Sequence, residues 1–242
     1  MKTLGLIGGM SWESTVPYYR EINQTIKGRL GGLHSARLLL YSVDFADIEA
    51  LQVSGQWDAA GAMLADVARS LERAGADALV LCTNTMHKVA ADIQAAVRIP
   101  LLHIADPTAQ AIQQAGLTTV GLLGTRFTME QDFYRSRLEQ THGLTVLVPS
   151  SADRERVHRV IYDELCLGTR TESSRRAYLQ IIGDLKRQGA QAIILGCTEI
   201  GLLIQAQDCS LPLFDTTALH ARSAADWALT PPQAAPGCAF RP

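Results

Sequence analysis

The chain repeats itself, and the repeat limits the folds open to it. TLGLIGGMSWE at Thr3 is answered by TVGLLGTRFTME at Thr119, and GADALVLCTN at Gly75 by GAQAIILGCT at Gly189. PLLHIADPTAQAI at Pro100 is answered by PLFDTTALHAR at Pro212, with a short gap near His103. The separations are about 116, 114 and 112 residues, and three blocks in one order at nearly constant spacing point to a duplicated unit. Within the first unit, TLGLIGG, ARLLLYSVD and ADALVLC read as strands. VPYYREINQTIKGRL and GQWDAAGAMLADVARSLERAG between them have helical spacing. Short apolar β runs alternating with long helices predict βα units and a parallel sheet covered on both faces.

In each half the third block follows the strand that carries the polar motif. That order predicts an exchange of chain between the halves. Residues 1–103 plus 210–229 are expected to form the first α/β domain and residues 104–209 the second, with the helix near Asp215 to Leu229 returning to the first. The tail, residues 230–242, is rich in Pro, Ala and Gly and is predicted to be disordered. Cys238 in that tail is set aside as a catalytic group.

The chain has 242 residues, 47% hydrophobic and 19% charged. That balance is ordinary for a globular protein with a real core. A net charge of −2, with no basic stripe carrying interleaved aromatics, argues against nucleic acid as a partner. No apolar run reaches the roughly 18 residues that span a bilayer. MKTLGLIGGMSWES has one lysine and a short apolar run, but the polar SWES ends it, so it reads as a first strand and not as a signal peptide. The five cysteines (Cys82, Cys166, Cys197, Cys209 and Cys238) are sparse and odd in number. They suggest reduced thiols and a cytoplasmic protein. There is no CxxC pair, and Cys82 with His87 is a weak metal signal.

The repeat also pairs the chemistry. Aligned without gaps, Cys82 faces Gly196, Thr83 faces Cys197 and Asn84 faces Thr198. Successive strand residues point in opposite directions, so Thr83, and not Cys82, holds the position equivalent to Cys197. Ligands bind beyond the carboxyl ends of parallel strands. Two groups brought there from opposite sides suit a reaction that removes a proton from one face of a carbon and returns one to the other.

The motifs GLIGGMSWEST, CTNTMH at Cys82, LLGT at Leu122, YDELCLG at Tyr162 and GCTEI at Gly196 resemble those of the aspartate/glutamate racemase superfamily. The resemblance covers nearly the whole chain. It implies two pseudo-symmetric flavodoxin-like α/β domains with parallel sheets, an active site in the cleft between them, and a homodimer. It also implies an isomerase without pyridoxal phosphate, metal or other cofactor, acting on a small amino acid to give its D-form. GGMS and Glu199 stand where the cell-wall glutamate racemases carry Asp-Ser-Gly and a histidine. The chain is thus most similar to the aspartate racemase branch, to enterobacterial-type L-aspartate/glutamate or broad-specificity members with a CTNTMH motif. The family's paired acid/base groups fall on Thr83 and Cys197. The resemblance implies that Cys197 takes the α-proton of the L-enantiomer, and the threonine makes the opposite side weak. Aspartate or glutamate is the first substrate expected. The alternatives are a broad-specificity racemase and a small-acid binding protein with largely lost racemase activity.

A free thiol ionises near pH 8.5, and a helix start after GCTEI would lower that value. Asn84, Thr85 and Thr198 are expected to bind substrate or to cap helices, roles that are compatible. Met10 and Ser11 follow the first strand, and Met10 can equally be core. Thr125 is the repeat counterpart of Gly9 and a candidate contact. Gln52 is a loop candidate, and Glu164 either faces the pocket or pairs on a helix surface. Cys82 reads as a packed thiol. Arg126 and Arg175 are candidates for a side-chain carboxylate. His87, one helical turn past Thr83, either orients a site group or is a polar residue on a helix surface. His103 reads as structural.

Overall fold

The computed structural model describes residues 1–231. The first half runs β1 (Thr3–Gly8), α1 (Trp12–Leu30), β2 (Arg37–Ser42), α2 (Phe45–Val53), α3 (Trp57–Arg73), β3 (Ala78–Leu81), α4 (Ala90–Ala95), β4 (Leu101–Leu102) and α5 (Ala105–Gln114). The second half runs β5 (Thr119–Gly124), α6 (Arg126–Glu130), α7 (Asp132–Ser136), β6 (Thr145–Leu147), α8 (Ser151–Asp163), α9 (Glu172–Arg187), β7 (Ala192–Gly196), α10 (Ile200–Leu203), β8 (Leu213–Asp215) and α11 (Thr216–Leu229). Each half builds a four-stranded parallel sheet, in the orders β2-β1-β3-β4 and β6-β5-β7-β8. The repeated blocks therefore fold as equivalent strands: β1 with β5, β3 with β7, β4 with β8. The result is two pseudo-symmetric flavodoxin-like α/β domains.

The apolar runs are continuous because β1, β3 and β7 are covered on both faces. In α3 the buried residues Ala60, Leu64, Val67, Ala68 and Leu71 recur at helical spacing and pack on one face of the first sheet. Gly9, just past β1, has φ +92°, and a β-carbon there would lie 2.2 Å from the Val43 carbonyl oxygen. Only glycine fits a turn so tight, and it carries the chain from the strand end into α1.

The helices after the fourth strands are exchanged. Ile104, Ala105, Ala109 and Ile112, at and within α5, pack into the second domain's core. Ala221, Ala224, Ala225 and Ala228 of α11 pack with Tyr18, Ile22 and Ile26 of α1 on the first sheet. The assignment of residues 210–229 to the first domain needs one correction. Within that span β8 is hydrogen-bonded to β7 of the second sheet, so the chain crosses back at Asp215–Thr216. The proposed tail from residue 232 onward, with Cys238, lies outside the described residues. Among the described residues, no helix is long and apolar enough to cross a membrane.

Two buried histidines, His87 and His220, and the half-buried His103 occupy the joint. The His87 and His103 rings lie 4.5 Å apart, and His87 and His220 6.0 Å apart. His220 donates from Nε2 to the Leu102 carbonyl at 2.8 Å and accepts from the Tyr18 hydroxyl at 2.8 Å. Nearby, Asp106 is held by Arg137 at 2.6 and 2.7 Å and by His142 at 3.1 Å. Burial lowers all three histidines, His103 to about 3 and His220 to about 4. Their folded-state values lie below the unfolded value of about 6.5, so the unfolded chain binds protons first as pH falls. Stability should be fully present above about pH 6.5 and fall as pH drops toward 4, with His220 alone contributing on the order of 3 kcal/mol. Asp215, raised by burial, pulls the other way. Urea unfolding between pH 7.5 and 4.5 tests this; a midpoint that does not move would mean the histidines are charged in the fold.

Candidate active site

Thr83 and Cys82 part company at the end of β3. Ala78, Val80 and Cys82 face the core under α1 and α11, while Leu79 and Leu81 face the opposite one. Cys82 is fully buried, its Sγ 3.7 Å from the Val80 carbonyl oxygen, and burial pushes its thiol far above the ordinary range. The Thr83 N–H turns back to the Leu81 carbonyl at 2.9 Å, which takes the chain out of the strand. Its side chain lines the cleft.

Cys197, just past β7, lines the same cavity. Met10, Gln52, Asn84 and Thr85 join Thr83 from the first half, and Thr125 and Thr198 join Cys197 from the second. The space measures about 350 Å³, of which only about 20 Å³ admits the centre of a water molecule. That is room for about one ordered water, so an amino acid enters only when side chains move.

Hydrogen bonds link the first half of the chain to the second around the cavity. Ser11 Oγ donates to Glu199 Oε1 at 3.0 Å, and Tyr162 Oη donates to Gln52 Oε1 at 2.8 Å. The Thr85 and Thr125 hydroxyls meet at 2.9 Å, and Asn84 Nδ2 donates to Thr216 Oγ1 at 3.0 Å. Asn84, Thr85 and Thr198 do not cap helices: their side chains bond Thr216, Thr125 and Glu199 instead. Thr125 does cap α6. The buried Oδ1 of Asn84 has no hydrogen-bond partner. An orphan acceptor in a closed cavity is costly unless a ligand satisfies it.

Glu199 is the centre of the second half-site. It is 2% exposed. Its Oε2 accepts from Cys197 Sγ at 3.0 Å and from Thr198 Oγ1 at 2.5 Å, and its Oε1 lies 3.8 Å from Cys166 Sγ. Burial, followed by the Glu199 and Cys166 charges, pushes the Cys197 thiol well up. The helix start expected to favour the thiolate is one short turn, α10. The Glu199 backbone N–H does help the thiolate, but the buried carboxylate outweighs it.

Two predicted site residues lie elsewhere. Ser11 does not line the cavity and supports Glu199 from behind. Glu164 is turned away and accepts from Ser174 Oγ at 2.8 Å and Thr171 Oγ1 at 3.0 Å, at the start of α9. Its motif YDELCLG does reach the site, through Tyr162 in the last turn of α8 and Cys166 in the short turn that follows it. Phe45, Ile161, Tyr162, Cys166, Gly196 and Glu199 are the lining residues that spacing alone did not pick out. Glu199 was visible only as a departure from the histidine of other family members.

Among the described residues no basic side chain lines the cavity. Arg126 sits in an adjoining outer cavity, 3.5 Å from Glu155, and Arg175 is paired with Glu172 and Asp208. Among the described residues no cluster of His, Cys, Asp and Glu is arranged to hold a metal ion.

The sequence signature of Asp/Glu/hydantoin racemases matches residues 7–224. A structure from Yersinia pestis, reported as that of a candidate Asp/Glu racemase, is 62% identical; it covers 95% of this chain and 100% of its own, with a TM-score of 0.89. An aspartate racemase homologue from Pyrococcus horikoshii is 34% identical over 94% of this chain and 99% of its own, with a TM-score of 0.81. The broad-specificity amino-acid racemase RacX of Bacillus subtilis is 25% identical over 91% of this chain and 95% of its own. A duplicated sheet with polar strand ends meeting in one cleft, matched along nearly its full length, makes this chain a member of the Asp/Glu/hydantoin racemase family, an isomerase of amino acids.

Proposed function

We propose that this enzyme inverts α-amino acids by moving the Cα proton between Cys197 and the Thr83 side of the cleft. The observation that carries the reading is that equivalent strand ends bring these two side chains to one nearly closed cavity. Asn84 Oδ1 is free to accept from the substrate ammonium, and the Thr85, Thr125 and Thr198 hydroxyls line the space for its carboxylate.

Cys197 must first lose its proton, and Glu199 Oε2 at 3.0 Å is the acceptor in contact with it. The thiolate then takes the α-proton of the L-substrate, and the electron pair delocalises into the carboxylate. Thr83 returns a proton to the opposite face; its alkoxide regains one from solvent as Glu199 releases to solvent the proton it took from Cys197, which restores the site for the next turnover. An alkoxide is a costly leaving state, so this second half is slow. Racemisation has an equilibrium constant of one, so kcat/KM is equal for the two enantiomers. Exchange at the L-face can nevertheless run ahead of inversion.

Aspartate and glutamate are the substrates that the family suggests. A broader specificity is favoured by the lining itself. A side-chain carboxylate would meet no cation there and would add charge beside Glu199, at a cost that only pairing offsets. Small neutral amino acids carry no such penalty.

Proton NMR in deuterated buffer, with chiral chromatography of the same samples, tests the reading. L-substrates should lose the α-proton faster than D-product accumulates, and small neutral L-amino acids should exchange at least as fast as aspartate. Ligand-induced stabilisation without exchange would instead support a binding protein. Thr83→Cys should raise two-sided racemisation, and Cys82→Ala should change little; loss of activity in a folded Cys82→Ala would reverse the assignment. Glu199→Gln should slow exchange by about 10²-fold or more, and the residual rate should climb with pH as solvent replaces the lost proton acceptor.

A further inference from the structure

His87 is buried, lies outside the cavity lining, and has no part in the chemistry above. Its ring nonetheless makes two directed bonds. Nδ1 is 2.7 Å from the Thr83 carbonyl oxygen, which can only accept, so Nδ1 carries the proton. Nε2 then accepts from the Ile104 N–H at 3.2 Å. Ile104 is where the chain enters the second domain's core. One neutral ring thus joins the residue opposite Cys197 to the first crossing between domains.

The second crossing is tied in the same way. Asn84 Nδ2 bonds Thr216 Oγ1 at 3.0 Å, and Thr216 Oγ1 donates to the Leu195 carbonyl at 2.9 Å, two residues before Cys197. Each half-site is therefore anchored where the chain passes between halves. Around the His87 ring stand His103 and His220, with Arg137 beyond, spent on Asp106. None of these is placed to share its two bonds.

We infer that His87 is a positioning residue for Thr83: it holds the end of β3 against the inter-domain crossing so that the threonine faces the substrate carbon opposite Cys197. The inference rests on the racemase reading. It has a signature that plain loss of stability lacks. Exchange at the L-face needs Cys197 and Glu199 but not Thr83, whereas inversion needs Thr83 in place. A misplaced Thr83 lowers the ratio of inversion to exchange.

Three variants separate the bonds. Asparagine can present an amide near Nδ1 and keep the Thr83 contact. Glutamine reaches toward Nε2 and leaves the Thr83 carbonyl unbonded, and phenylalanine makes neither bond. The inversion-to-exchange ratio, read by NMR and chiral chromatography, should fall about tenfold in His87→Gln and His87→Phe and stay near wild type in His87→Asn. The same series in the Thr83→Cys enzyme, whose backbone carbonyl is held by the same bond, keeps the ratio measurable if native inversion is slow. If His87→Phe fails to fold, the asparagine and glutamine pair still decides. A ratio unchanged in His87→Gln, with both rates falling together, would overturn the inference. Absence of exchange in the unmodified enzyme would overturn the racemase reading instead.

Discussion

A proton can be taken from one face of a carbon and returned to the other only if two groups approach that carbon from opposite sides. A single sheet cannot arrange this, because the ends of its strands open in one direction. Two copies of the sheet can. The ends of β3 and β7 are equivalent positions in the two copies, and the cleft between the domains turns their equivalence into opposition. The exchanged helices α5 and α11 bind each half to the other, and hydrogen bonds between the halves line up around the cleft.

The two sides are chemically unequal. On one, a thiol touches a buried carboxylate and a second thiol stands near the same group. On the other stands a hydroxyl. In the proposed reaction a small water-poor space would serve both: it would strengthen the few polar contacts that remain and keep solvent from quenching a carbanion. Burial also raises the thiol, so in the proposed reaction Cys197 would need a partner to ionise. Glu199 fits that need in place and in chemistry.

Buried polar groups hold this arrangement together, and most of them are paired, with Asn84 Oδ1 an acceptor left without a partner. Serine, threonine, glutamine, asparagine and histidine side chains pair with one another or with strand-end carbonyls. Charged pairs stay mostly near the surface. Neutral histidines carry the joint because an uncharged imidazole offers one donor and one acceptor with a small desolvation cost.

Much of this was legible in the residues. The duplicated blocks determined two parallel sheets, and the period of two along a strand separated Thr83 from Cys82. Spacing could do this because both properties are local and periodic. The tertiary structure decided what depends on direction at chain turns and on contacts between distant segments. It turned Glu164 toward α9 and Tyr162 and Cys166 into the cleft, although all three share one motif. It sent β8 to the second sheet, placed Ser11 behind Glu199, and set His87 between Thr83 and the crossing at Ile104. A side chain's partner across a cleft lies up to 188 residues away in the chain, and no local pattern encodes which of two neighbouring polar residues will meet it.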